Sequence, residues 1–166
     1  MKQEVAEKWV AALRSGEYQQ TSEKLRDVKV KSVNDNEPEL AGSFCCLGVL
    51  CDLFAKEHPA AGWSVHPKRL TADFYPGGID DGGADAASEN EHLPDTVQAW
   101  ADMHSGLGCI RGTAEYSAIK DELRQLGPLP SKISQIGNVD SLADANDHGV
   151  TFEQIAGFIE RNWRNL

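Results

Sequence analysis

The chain has 166 residues, 40% of them hydrophobic and 25% charged, with 16 Lys and Arg against 26 Asp and Glu for a net charge of -10. That size and apolar content suit one soluble domain over residues 1–166 with its own core, and the charge opposes direct nucleic-acid binding, which relies on Lys and Arg to neutralise phosphates. Every apolar run is shorter than the roughly 20 residues that span a bilayer, and Met1 to Val5 lacks the apolar centre of a secretory leader, so the expected address is the cytoplasm, with reduced cysteines.

Residues 2–15 read as a helix, because Val5, Trp9, Ala12 and Leu13 recur on one face. Glu4 and Glu7 suit its start, Arg14 its end, and Gly16 its C-cap. A polar, irregular piece follows. Val28, Val30 and Val33 then alternate with polar residues as in a short strand, and Asn34 to Pro38 is a turn cluster. The run Ser43 to Phe54 holds three of the four cysteines and is apolar around most of a helix, which marks a buried, central helix over 44–57. Ser43 is its expected N-cap, with Cys45 in the first turn. Gly48 lowers helix propensity and points to close packing.

Trp63, Val65 and His66, then Ala72, Phe74 and Tyr75, suggest two strands of a small antiparallel sheet over 62–75. Residues 76–92 form an acidic, Gly-rich loop without Lys or Arg. Leu93-Pro94-Asp95 opens a helix carrying Val97, Trp100 and Ala101, with Met103 near its end. Another helix is expected from Thr113 to Leu126, stopped by Gly127 and Pro128. A helical turn at Ser141-Leu142-Ala143 leads into Asn146-Asp147-His148-Gly149. The last helix starts with a capping box, Thr151 with Gln154, flanked by Val150 and Ile155 as a hydrophobic staple. The fold class is therefore α+β, mainly helical, with the first helix, the helix at 95–103 and the C-terminal helix packed around 44–57.

A thiol at a helix N-terminus is favoured as thiolate by the helix dipole and unpaired N–H groups. Cys45 or Cys46 could serve as such a nucleophile, with His66 or His148 as base and Asp73 or Asp147 to orient it. The competing reading makes these cysteines small, buried packing groups. The four cysteines contain no C-x-x-C pair and the five histidines no HExxH, so no metal site is expected. Asp144 to Gly149 imitates half of a calcium loop, but its twelfth position is Ile155 instead of Glu. No glycine pattern marks a phosphate loop, and no cofactor is expected.

Four segments together carry a resemblance: Lys8-Trp9-Val10-Ala11-Ala12-Leu13-Arg14-Ser15-Gly16-Glu17-Tyr18-Gln19-Gln20, Phe44-Cys45-Cys46-Leu47-Gly48-Val49-Leu50-Cys51-Asp52-Leu53, Leu93-Pro94-Asp95-Thr96-Val97-Gln98-Ala99-Trp100 and Leu142-Ala143-Asp144-Ala145-Asn146-Asp147-His148-Gly149-Val150-Thr151-Phe152-Glu153-Gln154-Ile155-Ala156. The combination resembles a family of small uncharacterised proteins of tailed bacteriophages and prophages; residues 27–42, 76–91 and 108–138 lie outside it. The resemblance implies an accessory protein acting in the cytoplasm of a bacterial host, without assigned catalytic residues. The expected function is binding of a host protein, in particular a basic one, with inhibition of a bacterial defence system as one form. Asp80, Asp81, Asp85, Glu89 and Glu91 are the candidate partner-binding groups, as carboxylates standing in for phosphates. The alternatives are a cysteine-dependent hydrolase or transferase using Cys45 or Cys46, and a protein that binds a signalling nucleotide through Lys68, Arg69 or Arg111.

Overall fold

The computed structural model describes residues 1–30, 38–66, 71–77, 90–110, 116–126 and 139–166. In chain order the elements are α1 (Gln3–Arg14), β1 (Gln19–Gln20), β2 (Arg26–Val30), β3 (Pro38–Phe44), α2 (Cys46–Glu57), β4 (Gly62–His66), β5 (Thr71–Tyr75), α3 (Asp95–Ala101), α4 (Tyr116–Gln125), α5 (Leu142–Asp147) and α6 (Phe152–Asn162), closed by a 3-10 turn at Trp163–Asn165. The class is α+β and mainly helical, with small sheets. Among the described residues no helix is long and apolar enough to cross a membrane.

α2 is the buried centre. Cys46, Leu47, Val49, Leu50 and Cys51 are fully buried, as the nearly continuous apolar run requires. α1, α3 and α5 pack on it. Trp9 of α1 is wholly buried, and its indole N–H donates to the Cys46 carbonyl at 2.9 Å, so the largest side chain of α1 is both packed and hydrogen-bonded. α6 packs chiefly along α1 and touches α5. The C-terminal helix is thus attached to the centre mainly through its neighbours, a correction to the expectation that it lies on α2. Its capping box is present as expected: Gln154 N–H donates to Thr151 Oγ1, and Thr151 N–H to Gln154 Oε1. Val150 and Ile155, the staple positions, are both buried.

The sheet at 62–75 is present as β4 and β5, paired antiparallel from Gly62 opposite Tyr75 to His66 opposite Thr71. A second sheet was not expected. It has the order β1-β3-β2, with β1 parallel to β3 and β2 antiparallel to it. Strand β3 runs Pro-Glu-Leu-Ala-Gly-Ser-Phe, which lacks β-branched residues and clean alternation, so its extended state is set by pairing and not by propensity. This strand also moves the helix start. Ser43 belongs to β3, opposite Gln19, and Cys45 takes the N-cap position assigned from sequence to Ser43. α3 ends at Ala101, sooner than 103, because Asp102 turns left-handed at φ 55°. The expected turn at Asn34 to Pro38 falls largely, and the helix stop at Gly127 and Pro128 wholly, outside the described residues.

Gly48 explains how α2 can start where it does. The Leu25 backbone crosses the first turn of α2 so closely that a Cβ on Gly48 would lie 1.7 Å from the Leu25 carbonyl oxygen. That carbonyl accepts from Cys45 N–H at 3.1 Å, so neither side can withdraw without losing a buried hydrogen bond. Gly48→Ala is therefore expected to destabilise the fold by more than about 3 kcal/mol in urea unfolding. Gly62→Ala, whose Cβ meets open space, is the matched control and is expected to change stability little.

Candidate functional site

The structure brings Cys45 and Cys46 of the proposed thiol site to the corner between α5 and α6. Cys45 caps α2, and its Sγ accepts from Gly48 N–H at 3.4 Å. Cys46 N–H donates to Asn146 Oδ1 at 3.2 Å, and Cys46 Sγ donates to the Leu142 carbonyl at 3.5 Å. The start of this helix is thus satisfied from within the protein. Burial, reinforced by the nearby Asp147 carboxylate, pushes the Cys45 thiol up to about 11. Burial raises Cys46 and Cys51 as well. At neutral pH the three are protonated, and they act in this arrangement as small packing groups.

The candidate bases sit on different stretches, His148 in that same corner and His66 at the end of a strand. His148 is exposed just after α5, and its Nδ1–H donates to the Asp144 carbonyl at 2.7 Å. His66 ends β4, opposite Thr71. Asp73 is buried on β5, opposite Ser64. Asp147 is exposed and accepts from Glu23 N–H at 2.8 Å. Of the acidic candidates, Asp80, Asp81, Asp85 and Glu89 lie outside the described residues, as do Lys68, Arg69 and Arg111. Glu91 is exposed, next to Asn90, whose carbonyl accepts from Leu25 N–H at 2.7 Å. Among the described residues no group of three His, Cys, Asp or Glu could hold a metal ion.

Asn146, met in the sequence as part of the half calcium-loop pattern, has a different role in the structure. It is buried, and its amide serves four partners. Its Oδ1 accepts from Cys46 N–H and from Gln20 Nε2 at 3.0 Å, while its Nδ2 donates to the Thr21 carbonyl at 2.8 Å and to Asp147 Oδ1 at 3.2 Å. Gln20 completes the clasp by donating to the Val150 carbonyl and accepting from Phe152 N–H. The signal available in the sequence was a buried-helix flank containing Asn beside Asp, which is indistinguishable from a turn until the partners are known.

Two surface arrangements were also missed. The first surrounds Arg26, whose guanidinium lies 4.6 Å from the Phe44 ring centre and 5.4 Å from that of Trp63. Beside it Tyr18 OH donates to Asp52 Oδ2 at 2.8 Å and accepts from Lys56 Nζ at 2.7 Å. Burial lowers the Arg26 pKa and raises that of Tyr18, and the hydrogen bond to Tyr18 raises that of Lys56. These contacts tie β2, β3, β4 and α2 together. The second is a half-open groove of about 440 Å³ between α1 and the α6 end of the chain, lined by Gln3, Ala6, Glu7, Val10, Ala11, Arg14, Glu160 and Trp163.

Two measurements test this site. With a disulfide reagent near neutral pH, Cys45, Cys46 and Cys51 are expected to label only as the protein unfolds, and the partly exposed Cys109 first; fast labelling of Cys45 in the folded state would contradict its buried, protonated placement. Asn146→Ala leaves Cys46 N–H and the Thr21 carbonyl without their partner, and is expected to cost about 3 kcal/mol in chemical denaturation.

A family model described as a domain of unknown function, DUF8296, matches residues 1–163. No curated protein and no solved structure matches the chain.

Proposed function

We propose a function from one premise: the chain belongs to the DUF8296 family, whose members share a domain without an assigned activity. On that premise we infer an accessory protein of tailed bacteriophages or prophages that acts in the bacterial cytoplasm by binding a basic host protein. Inhibition of a defence system is the form of this activity that the chemistry fits most directly, since carboxylates can occupy a cleft built for phosphates.

The observation that carries the reading is how the cations are used. Arg14 is held by Glu153 and Glu160, Lys8 by Glu57, Lys56 by Asp52, Lys120 and Arg124 by Asp140, and Arg161 by Glu122. Each pair is worth little in stability at the surface. Together they hold six of the 16 Lys and Arg residues against carboxylates, and the surplus acidic groups behind the net charge of -10 set the field a partner meets. The thiols that suggested an enzyme, Cys45 and Cys46, are meanwhile buried at the start of α2.

The test uses the protein as bait in lysate of a bacterial host, with captured proteins quantified by mass spectrometry. Wild type is expected to enrich basic proteins, and to capture less of them at raised salt. The variant carrying Asp80→Asn, Asp81→Asn, Asp85→Asn, Glu89→Gln and Glu91→Gln is expected to lose most of that capture. Equal capture by this variant, unchanged by salt, would remove the acidic loop from the mechanism. Failure of wild type to enrich any basic protein would sink the reading as a whole.

A further inference from the structure

We propose that the groove between α1 and α6 is a docking site for a basic, amphipathic helical segment of a partner protein, an inference that rests on the partner-binding reading above. The groove follows α1 along Gln3, Glu7, Val10 and Arg14, which are spaced i, i+4, i+7 and i+11 and so form one line down the helix. Twelve residues of helix make this line about 18 Å long, the length of a three-turn partner helix. The floor is apolar. Ala6 is buried, Val10 and Trp163 are half-buried, and Ala11 is exposed, which leaves apolar surface open beside a helix pair that is otherwise packed.

Charge selects the occupant. Glu7 and Glu160 stand on the rim, and Glu153 flanks it. Arg14, the cation of the lining, is already bound by Glu153 at 3.0 Å and Glu160 at 3.2 Å. Arg164 lies over the Trp163 ring at 4.2 Å, at the far end. In the lining itself two carboxylates, Glu7 and Glu160, stand against the single cation Arg14, and Arg161 beside it is held by Glu122, on a chain whose net charge is -10. A second copy of this chain would bring the same negative charge to the rim, whereas a helix with Lys or Arg flanking an apolar stripe would meet both the floor and the rim. Helix-in-groove recognition reads such anchors at i, i+3, i+4 and i+7.

The probe is a labelled amphipathic helical peptide of Leu, Ala and Lys, with its Lys-to-Glu counterpart as control, titrated by fluorescence anisotropy. The Lys peptide is expected to bind wild type and the Glu peptide is not. Ala11 is exposed, so Ala11→Glu and Ala11→Arg should both fold, which circular dichroism checks. Both fill the groove and are expected to weaken binding of the Lys peptide about tenfold or more. Ala11→Glu is decisive, because attraction to a generally acidic surface would be strengthened by it, and unchanged or tighter binding overturns the proposal. So does failure of the Lys peptide to bind wild type, or equal binding of the Glu peptide. A wild-type dimer in sedimentation that Ala11→Arg dissociates would assign the groove to a second copy and overturn it as well. In the lysate experiment, capture lost with the loop variant but kept with Ala11→Glu would reject the groove and leave the functional reading standing. Absence of any captured basic protein would reject that reading, while the peptide titration still judges the groove.

Discussion

The fold depends on satisfying the start of α2 inside the protein. A helix beginning in the core leaves backbone N–H groups that water cannot reach. Here Cys45 N–H goes to the Leu25 carbonyl, Cys46 N–H to the Asn146 side chain, and Gly48 N–H to the Cys45 sulfur. Besides the helix's own N-cap, these partners come from two separate stretches of chain, around Leu25 and Asn146, so the helix start can form only when those stretches are assembled around it. Gly48 sets the distance of that assembly, since any side chain there would collide with Leu25. Trp9 closes the arrangement from the α1 side by donating to the Cys46 carbonyl.

This arrangement decides what the cysteines can do. An open helix N-terminus offers N–H groups and a positive dipole end to a thiolate. In α2 Asn146 occupies the Cys46 N–H, and burial of the Cys45 thiol outweighs the backbone N–H groups of Gly48 and Leu47 that favour its thiolate, which pushes it up to about 11. The sequence around Cys45 is compatible with either outcome. What separates them is burial of the helix start, closed in part by Asn146, which lies 100 residues beyond Cys46 and would be equally at home in an ordinary turn.

The legibility of the fold follows the same division between local and distant causes. α1 and α6 were readable because their stripes, the C-terminal Gly16 and the Thr151 capping box act within a turn or two. β4 and β5 were readable from alternation. β1 and β3 were not, because Gln19-Gln20 and Pro38–Phe44 carry no strand pattern of their own and take their conformation from each other and from β2. The misplaced N-cap at Ser43 is a consequence of the missed strand. Of the candidate site residues, Cys45 and Cys46 are buried, which was one of two open readings. The groove was invisible, since Glu160 and Trp163 meet Gln3 to Arg14 only after the two ends of the sequence pack together.

Charge and apolar surface do different work in such a molecule. Exposed carboxylates steer a basic partner and raise the rate of encounter, but screened surface pairs add little affinity. Affinity comes from a few desolvated anchors in a fitted depression. An acidic surface alone would bind many cations weakly and be silenced by salt. Adding an apolar floor beside the rim carboxylates of Glu7 and Glu160 gives a contact that salt weakens but does not abolish, because burial of the partner's apolar stripe is not screened. If the proposed contact forms, the residual, salt-resistant part of binding would belong to the groove, and the salt-sensitive part to the carboxylates.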